Sequence, residues 1–136
     1  MYLLDTNVVS ELRKRRPHGA VLAWLDAAPA EALLVSAATM GELQIGVERT
    51  RRQDAAKAEE LERWVNGVPR LASVVPADDT IFRVWARLMV DVQQEQAIDA
   101  LIAATARVHG LTVATRNVRD FVRFGVPTLN PFAPAR

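Results

Sequence analysis

Short apolar runs, separated by segments with helical spacing, constrain the fold of this chain more than any other feature. They are too short for core helices, and their leucines and valines are typical of buried strands. The predicted strands are Tyr2–Leu4, Ala32–Ser36, Ser73–Pro76, Leu111–Thr115 and an edge strand at Val126–Leu129. Strands that alternate with helices form parallel sheets between helical layers. We therefore expect an α/β fold, a three-layer α/β/α sandwich with a central, mostly parallel sheet.

The segments between these runs predict helices. Pro17 suits the first position of the second helix, and Gly110 suits the position just beyond the last long one. The predicted helical segments are Val8–Leu12, Pro17 to Pro29, Thr39 to the arginines at 49–52, Asp54–Asn66, Asp78 or Asp79 to Val92, Ile98–His109 and a short helix within Arg116–Phe121. A polar link at Gln93–Gln96 separates the fifth and sixth of them. We expect Trp24, Trp64 and Trp85 to be core residues rather than base-stacking platforms.

Chain length and composition narrow the class of protein. The 136 residues suffice for one domain with one core, which we expect to span residues 1–136. No apolar run approaches the ~20 residues that cross a bilayer, and no secretory signal precedes the first strand. Without cysteine there are no disulfides and no thiolate zinc site. These features predict a cytoplasmic protein that does not associate with a membrane.

Basic residues are unevenly distributed, although the formal net charge is only +1. Arginines cluster at positions 13, 15 and 16 and again at 49, 51 and 52. Arginine binds phosphate in a bidentate manner, which favours nucleic acid as a partner. Charge runs also cover solvated helix ends, so both interpretations stay open at this point.

Acidic side chains recur near the ends of the predicted strands. Asp5 ends the first strand, and Glu42 lies in the first turn of the helix after the second strand. Asp99 lies in the first turn of the helix before the fourth strand. Asp120 follows that fourth strand, with Asn117 three residues earlier. In a doubly wound sheet these side chains can converge in one crevice at the carboxyl edge.

Each of these residues also has a structural interpretation when it is taken alone. Thr39 and Glu42 have the spacing of a capping box. Asp99 can complement a helix dipole. The remaining acids and the asparagine can cap helices or turn the chain.

Taken together, converging carboxylates predict a cation site, because they repel one another unless a positive charge lies between them. No lysine lies near these motifs. Hard oxygen ligands suit Mg²⁺ or Mn²⁺, and such a site can activate water to attack a phosphodiester. Other chemistries find little support, since His18 and His109 are the only histidines and no glycine-rich phosphate loop is present.

Four ordered motifs carry a resemblance to a known family. They are LLDTNVVSEL around Asp5, the block Ser36-x-x-Thr39-x-x-Glu42-Leu43, the run Asp99-Ala-Leu-Ile-Ala-Ala, and Thr115-Arg-Asn117-x-x-Asp120-Phe121. In this order the chain resembles the PIN-domain ribonucleases over essentially its whole length. It is most similar to the VapC/FitB-type toxins of bacterial toxin–antitoxin pairs. The closing Leu129-Asn-Pro-Phe132 is similar to the FitB-like branch.

The resemblance implies an endoribonuclease that requires Mg²⁺, with Mn²⁺ as the alternative ion, and acts as a toxin restrained by a cognate antitoxin. Asp5, Glu42 and Asp99 match the acids of the family that bind metal and carry catalysis. Asp120 matches the more variable fourth acid, whereas Asn117 stands where many relatives carry aspartate. Which of these two reaches the metal is left open.

The resemblance also assigns supporting residues and partners. Thr6, Asn7 and Thr115, together with Asn117, match groups that orient the acids or position substrate. The candidates for RNA contacts are Arg15, Arg16, Arg51, Arg52 and Arg116. The helices at Val8–Leu12 and Val21–Leu25 are the expected antitoxin surface. Members of the family are commonly homodimers.

Two other functional classes fit an α/β chain with acidic strand ends. A non-catalytic PIN-like binding module in a DNA-bound antitoxin complex is the alternative, and the presence of all the acids argues against it. A phospho-acceptor receiver domain needs an acceptor aspartate after the middle strand and a lysine after a late one. Here the third strand ends in Val75-Pro76, and no lysine follows Lys57.

Overall fold

The computed structural model describes residues 1–133 and contains one sheet in which every strand runs parallel to its neighbours. The strands are β1 (Tyr2–Leu4), β2 (Leu33–Ser36), β3 (Ser73–Val75), β4 (Thr112–Ala114) and β5 (Thr128–Leu129). Their order across the sheet is β3-β2-β1-β4-β5. The chain thus leaves the central β1 towards one side and returns to its other side with β4. This reversal opens a crevice between the carboxyl ends of β1 and β4.

Two helices connect each strand to the next along the chain, except between β4 and β5. The helices are α1 (Thr6–Glu11), α2 (Gly19–Ala27), α3 (Ala37–Arg51), α4 (Ala55–Leu71), α5 (Asp79–Met89), α6 (Ala97–His109) and α7 (Val118–Val122). Short 3₁₀ turns precede β2 at Ala30–Ala32 and α6 at Gln94–Gln96. Only α7, a single short helix, joins β4 to β5.

Both faces of the sheet are buried, which is the usual condition of a parallel sheet. Neighbouring residues of β1 point to opposite faces, so Leu4 packs against the layer of α1 to α4 and Leu3 against the layer of α5 to α7. In the second layer the alanine-rich helix α6 buries small side chains against the sheet, namely Ala100, Ala103 and Ala106. The predicted three-layer α/β/α sandwich is therefore confirmed, and the sheet is wholly parallel.

The start of α2 differs from the prediction. The helix begins at Gly19, and the ring nitrogen Nδ1 of His18 accepts a hydrogen bond from the Ala20 amide at 3.2 Å. Pro17 therefore lies outside the helix and not at its first position. The buried carboxylate of Glu11 accepts a hydrogen bond from the His18 amide at 2.9 Å and so fixes the residue before the helix.

The ends of other helices and strands also differ from the prediction. Helix α4 continues past Asn66 and through Pro69, because Val65 and Val68 are anchored in the core and the Ala72 amide bonds to the Val68 carbonyl. Helix α5 is shorter than predicted and ends at Met89. Strand β5 starts only after Pro127, which has no amide proton to donate. Within residues 1–133 no helix has both the length and the apolar character needed to span a bilayer.

Candidate active site

Asp5 lies at the crevice, where β1 gives way to α1. It is the N-cap of α1, and its Oδ1 accepts a hydrogen bond from the Thr6 amide at 2.7 Å. Its own amide donates to the Ala114 carbonyl at the end of β4, at 2.9 Å. The side chain is only 4% exposed. Asp5 is therefore a capping residue and, at the same time, a buried carboxylate held between the two central strands.

Two side chains orient the second oxygen of Asp5. The buried Thr115 hydroxyl donates to Oδ2 at 2.8 Å, and Asn7 Nδ2 donates to the same oxygen at 3.1 Å. Asn7 Oδ1 accepts a hydrogen bond from the Arg116 amide at 3.3 Å, and the Thr115 hydroxyl accepts one from the Asn117 amide at 2.9 Å. These bonds join the loop after β1 to the loop after β4, so the position of the carboxylate depends on both.

Glu42 reaches the crevice from α3, but its place in that helix corrects the prediction. Ser36, not Thr39, is the N-cap, and its Oγ accepts from the Ala38 amide at 3.0 Å. Glu42 is therefore beyond the first turn, and no Thr39–Glu42 capping box exists. The Thr39 hydroxyl is buried and instead accepts a hydrogen bond from the Thr6 hydroxyl at 3.1 Å. Since Glu42 caps nothing, its half-buried carboxylate remains directed to the cleft.

Asp99 comes from the first turn of α6, as predicted, and is half-buried. Together with the other acids it borders a cleft of about 260 Å³. The cleft is lined by Asp5, Thr6, Asn7, Ser10, Glu42, Asp99 and Asn117. No lysine or arginine is among these lining residues. The structure thus brings together side chains that lie more than 100 residues apart in the sequence.

The electrostatics of the cleft show an uncompensated negative charge. Burial, with the neighbouring Asp5, Glu42 and Asp120 carboxylates, raises the pKa of Asp99 to about 6. The Arg123 guanidinium opposes this rise only weakly, as the smallest contribution. Burial also raises the pKa of Asp5, although the hydrogen bonds that this carboxylate accepts act in the opposite direction. Both acids would be stabilised in their charged form by a cation.

The fourth acid and the asparagine occupy different places. Asn117 lines the cleft, whereas Asp120 lies on α7 at its rim, with its side chain 45% exposed and its Oδ1 3.8 Å from Arg123. Asp120 is still close enough to raise the pKa of Asp99. The arginine that pairs with Asp120 is Arg123, three residues further along the chain.

Sequence reasoning also missed Ser10, which lines the cleft. The sequence did contain a pattern that indicates this position. Ser10 follows Asn7 by three positions and Thr6 by four, so it shares their face of α1. No sequence spacing indicated the contact of Thr39 with Thr6, since it joins residues on two different helices.

The arginines predicted to contact RNA are scattered. Arg15 and Arg16 lie in the exposed loop between α1 and α2. Arg51 is held by Glu48 at 3.1 Å and by Glu62 at 2.8 Å. The remaining two candidates differ in their distance from the cleft. At 1.5 Å per helical residue, Arg52 lies roughly 15 Å from Glu42, whereas Arg116 directly precedes the cleft residue Asn117 in sequence.

The donor set of the cleft fits a hydrated Mg²⁺ ion. Within residues 1–133, no three acidic or histidine side chains are grouped tightly enough to form a complete ligand cluster. Mg²⁺ commonly binds through one or two carboxylates and keeps several waters, so it does not require such a cluster. The raised pKa of Asp99 and the lack of a lining cation show that the cleft can accommodate positive charge.

Comparison with known proteins supplies relatives for this arrangement. The family model of the PIN domain matches residues 2–126. The "VapC ribonuclease Y4jK" of Sinorhizobium fredii is 40% identical, covering 99% of this chain and all of that protein. The crystal structure of FitAcB from Neisseria gonorrhoeae is 35% identical with a TM-score of 0.82, covering 97% of this chain and 99% of the other. A toxin–antitoxin complex from Klebsiella pneumoniae is 25% identical with a TM-score of 0.64, covering 96% of this chain and 98% of the other.

Proposed function

Because the chain belongs to the PIN domain family and is a VapC/FitB-like member of it, we propose that it is a metal-dependent endoribonuclease and the toxin of a toxin–antitoxin pair. One observation carries this proposal. Asp5, Glu42 and Asp99 border a single cleft at the switch point of the sheet, without a cation among its lining residues. The names of the relatives, a ribonuclease and a toxin–antitoxin complex, support the reaction and the biological role.

Asp5, Glu42 and Asp99 would hold the ion, with Asn117 or Asp120 as a further contact. When bound, Mg²⁺ or Mn²⁺ supplies a Lewis acid that lowers the pKa of water and neutralises charge on the phosphodiester. Asp5 is the most rigid of these ligands, because three hydrogen bonds fix its orientation before any ion binds. Such supporting partners orient metal ligands and tune their basicity.

The two loops of the cleft have separate tasks in this proposal. Thr115 and Asn7 fix Asp5, and Asn7 also holds the loop after β4 through the Arg116 amide. The Asn117 side chain is left to face the cleft, where an amide can bind water or a phosphate oxygen. Asp120, at the rim, would act through water.

The antitoxin is proposed to bind on α2, at the exposed part of the Val21–Leu25 surface that the sequence suggested. The apolar side chains of Val8 and Val21 are buried in the toxin's own core and cannot contact a partner. An open apolar groove of about 470 Å³ lies on the outer face of α2 instead. Its lining residues are Ala20, Ala23, Trp24, Ala27, Leu129, Asn130, Pro131 and Ala133. Such a groove accepts the apolar face of a helix, and Ala23→Glu is expected to prevent co-purification of the two proteins when they are produced together.

The first test is cleavage of total RNA by the purified protein in EDTA, Mg²⁺ or Mn²⁺. Discrete products are expected only with metal, and Asp99→Asn should abolish them. Asp26→Asn, which removes the same charge from an exposed position on α2, is the matched control and should cleave like the parent. Cleavage that persists in EDTA, or in the Asp99→Asn variant, would disprove the proposed metal site. A folded parent that cleaves no RNA would contradict the enzymatic function itself.

A further inference from the structure

One exposed arginine beside the cleft is held by an aromatic ring instead of a carboxylate. The guanidinium carbon of Arg116 lies 3.9 Å from the centre of the Phe132 ring. Arg116 stands between Thr115, which orients Asp5, and Asn117, which lines the cleft. Its backbone amide is tied to Asn7. The base of this side chain is therefore fixed by the same bonds that order the cleft.

The ring beneath the guanidinium is also fixed. Phe132 is only 9% exposed and packs into the core layer of α1 to α4. Its amide donates to Asn130 Oδ1 at 2.9 Å. The His18 ring meets it edge to face, with 5.4 Å between the ring centres. A side chain stacked on this ring is restricted before any ligand arrives.

The guanidinium of Arg116 differs from those of Arg51 and Arg123, which form ion pairs with carboxylates on the same or a neighbouring helix. Arg51 and Arg123 each have a carboxylate oxygen within 4 Å. In residues 1–133, no carboxylate oxygen lies within that distance of Arg116 and none of its guanidinium N–H groups donates a hydrogen bond. The charge of Arg116 contributes to lowering the pKa of Glu11, but that carboxylate is already paired with Lys14 at 2.8 Å.

We propose that Arg116, stacked on Phe132, is a preformed binding position for a backbone phosphate of the RNA strand, next to the bond that is cut. This inference rests on the proposed ribonuclease function and assigns Phe132 as a positioning residue. A cleft with three carboxylates repels a polyanion, so the strand needs a cation close to the cleft but outside it. A guanidinium can offer two parallel N–H groups to a phosphate, and stacking reduces the ordering that this contact requires.

The test measures the salt dependence of RNA binding. The probe is a short fluorescein-labelled single-stranded RNA of randomised sequence, bound in Mg²⁺ to the Asp99→Asn protein so that it is not cut. A random sequence is suitable because phosphate contacts carry no direct sequence information. Arg116→Gln is expected to weaken binding about 5-fold or more and to lower the slope of log affinity against log salt by about 0.7, the value for one lost phosphate contact on a single strand. Arg107→Gln, an exposed arginine in the last turn of α6, is the control and should change neither quantity.

The role of Phe132 is tested by combining variants. Phe132→Leu keeps an apolar side chain but removes the ring, and it should weaken binding less than Arg116→Gln does. In the Arg116→Gln background the same change should have no further effect, because the ring acts only through the guanidinium. Arg116→Lys should keep the salt slope and recover only part of the affinity. Equal additional losses in both backgrounds would show that Phe132 supports the fold alone.

Cleavage of total RNA separates this inference from the function on which it rests. Arg116→Gln should cut more slowly than the parent at low RNA concentration and approach the parent rate as the RNA concentration rises, which is an effect on KM. If the parent cuts RNA and Arg116→Gln matches it in affinity, salt slope and KM, the phosphate position is wrong and the ribonuclease stands. If the parent neither binds nor cuts RNA, both proposals fail.

Discussion

Two groups of carboxylates on α3 and its neighbours show opposite electrostatics. On the hairpin of α3 and α4, Glu48 and Glu62 lie on either side of Arg51, which donates hydrogen bonds to both. The Arg51 hydrogen bond is the main cause that holds the pKa of Glu48 below its usual value. Hydrogen bonds from Gln44 and then from Arg51 lower the pKa of Glu62. This group thus contains a cation of its own, Arg51, between its two carboxylates.

The cleft also contains carboxylates, but no lysine or arginine is among the residues that line it. Asp5 and Asp99 are more buried than the hairpin acids and have raised pKa values, and the charge of Glu42 contributes to both shifts. The hairpin group is thus a stabilising surface network, whereas the cleft group is arranged for a positive charge from outside the chain. Proximity of acids alone does not distinguish a binding site from a structural network. Here the two groups differ in the direction of their pKa shifts, which are raised in the cleft and lowered on the hairpin.

The largest expected difference between the two groups is in catalysis. Asp5→Asn or Glu42→Gln should lower the rate of RNA cleavage more than about 100-fold, exceeding the usual cost of losing a partner that only orients a metal ligand. Glu48→Gln removes an acid from the hairpin group and should leave the rate unchanged. Initial rates on total RNA in Mg²⁺ measure both. A comparable loss in Glu48→Gln would remove the distinction drawn between the groups.

The next effect concerns the support of Asp5. Thr115→Val keeps the shape of the side chain but removes the hydroxyl that donates to Oδ2, and we expect a 10- to 100-fold loss of activity or metal affinity, as is typical for partners of metal ligands. Thr112→Val, at the start of the strand that Thr115 directly follows, is the matched control. Mg²⁺ titration of the cleavage rate gives the comparison. An unaffected Thr115→Val enzyme would mean that Asp5 needs no orienting bond.

Lowering the pH should have a smaller effect, which again differs between the two groups of acids. Because the pKa of Asp99 is raised to about 6, this acid begins to take up a proton as the pH falls through that value. Metal affinity and cleavage should therefore fall about tenfold per pH unit below pH 6 and recover with added Mg²⁺. The acids of the hairpin group, with lowered pKa values, remain charged in this range. A profile that stays flat below pH 6 at limiting Mg²⁺ would exclude Asp99 as a ligand.

The smallest effect is on stability, and its sign differs between the groups. A raised pKa means that the folded state binds the proton more tightly than the unfolded chain, so stability falls as the pH rises from 3.8 to about 6 and stays reduced above it. In EDTA near neutral pH, Asp99→Asn should therefore stabilise the protein by about 1 kcal/mol after allowance for solvent screening, or about 4 °C in Tm. Arg51→Gln should lower the Tm. Thermal unfolding of both variants provides the measurement, and a destabilised Asp99→Asn protein would contradict the repulsion.

Local patterns were sufficient for much of this structure. The alternation of apolar runs and helical spacing predicted the layers and the parallel sheet. Asp5 and Asp99 could be placed at element boundaries because each sits beside a clear strand end or helix start. The position of Glu42 was wrong because both Ser36 and Thr39 are good capping residues, and only the burial of Thr39 against Thr6 decides between them.

Contacts between distant segments could not be predicted. The stacking of Arg116 on Phe132 joins the loop after β4 to the end of the described chain, and no periodicity relates the two residues. No periodicity relates Thr115 to Asp5 either, and only the family resemblance pointed to Thr115 as an orienting group. The arginine clusters show the same limit, since clustering in sequence does not tell whether an acid such as Glu62 lies across from one member.

The bond between Thr115 and Asp5, which spans 110 positions, has a consequence for synthesis on the ribosome. The central strand β1 leaves the ribosome first, but its neighbour β4 and the hydroxyl that aligns Asp5 follow only after most of the chain has been made. Parallel pairing over such a separation is slow compared with local contacts. A nascent chain of this protein therefore carries Asp5 and Glu42 long before Asp99 and β4 are present to complete the arrangement. The proposed nuclease activity should appear only near the end of translation, which leaves an interval in which a partner can meet the chain before that activity arises.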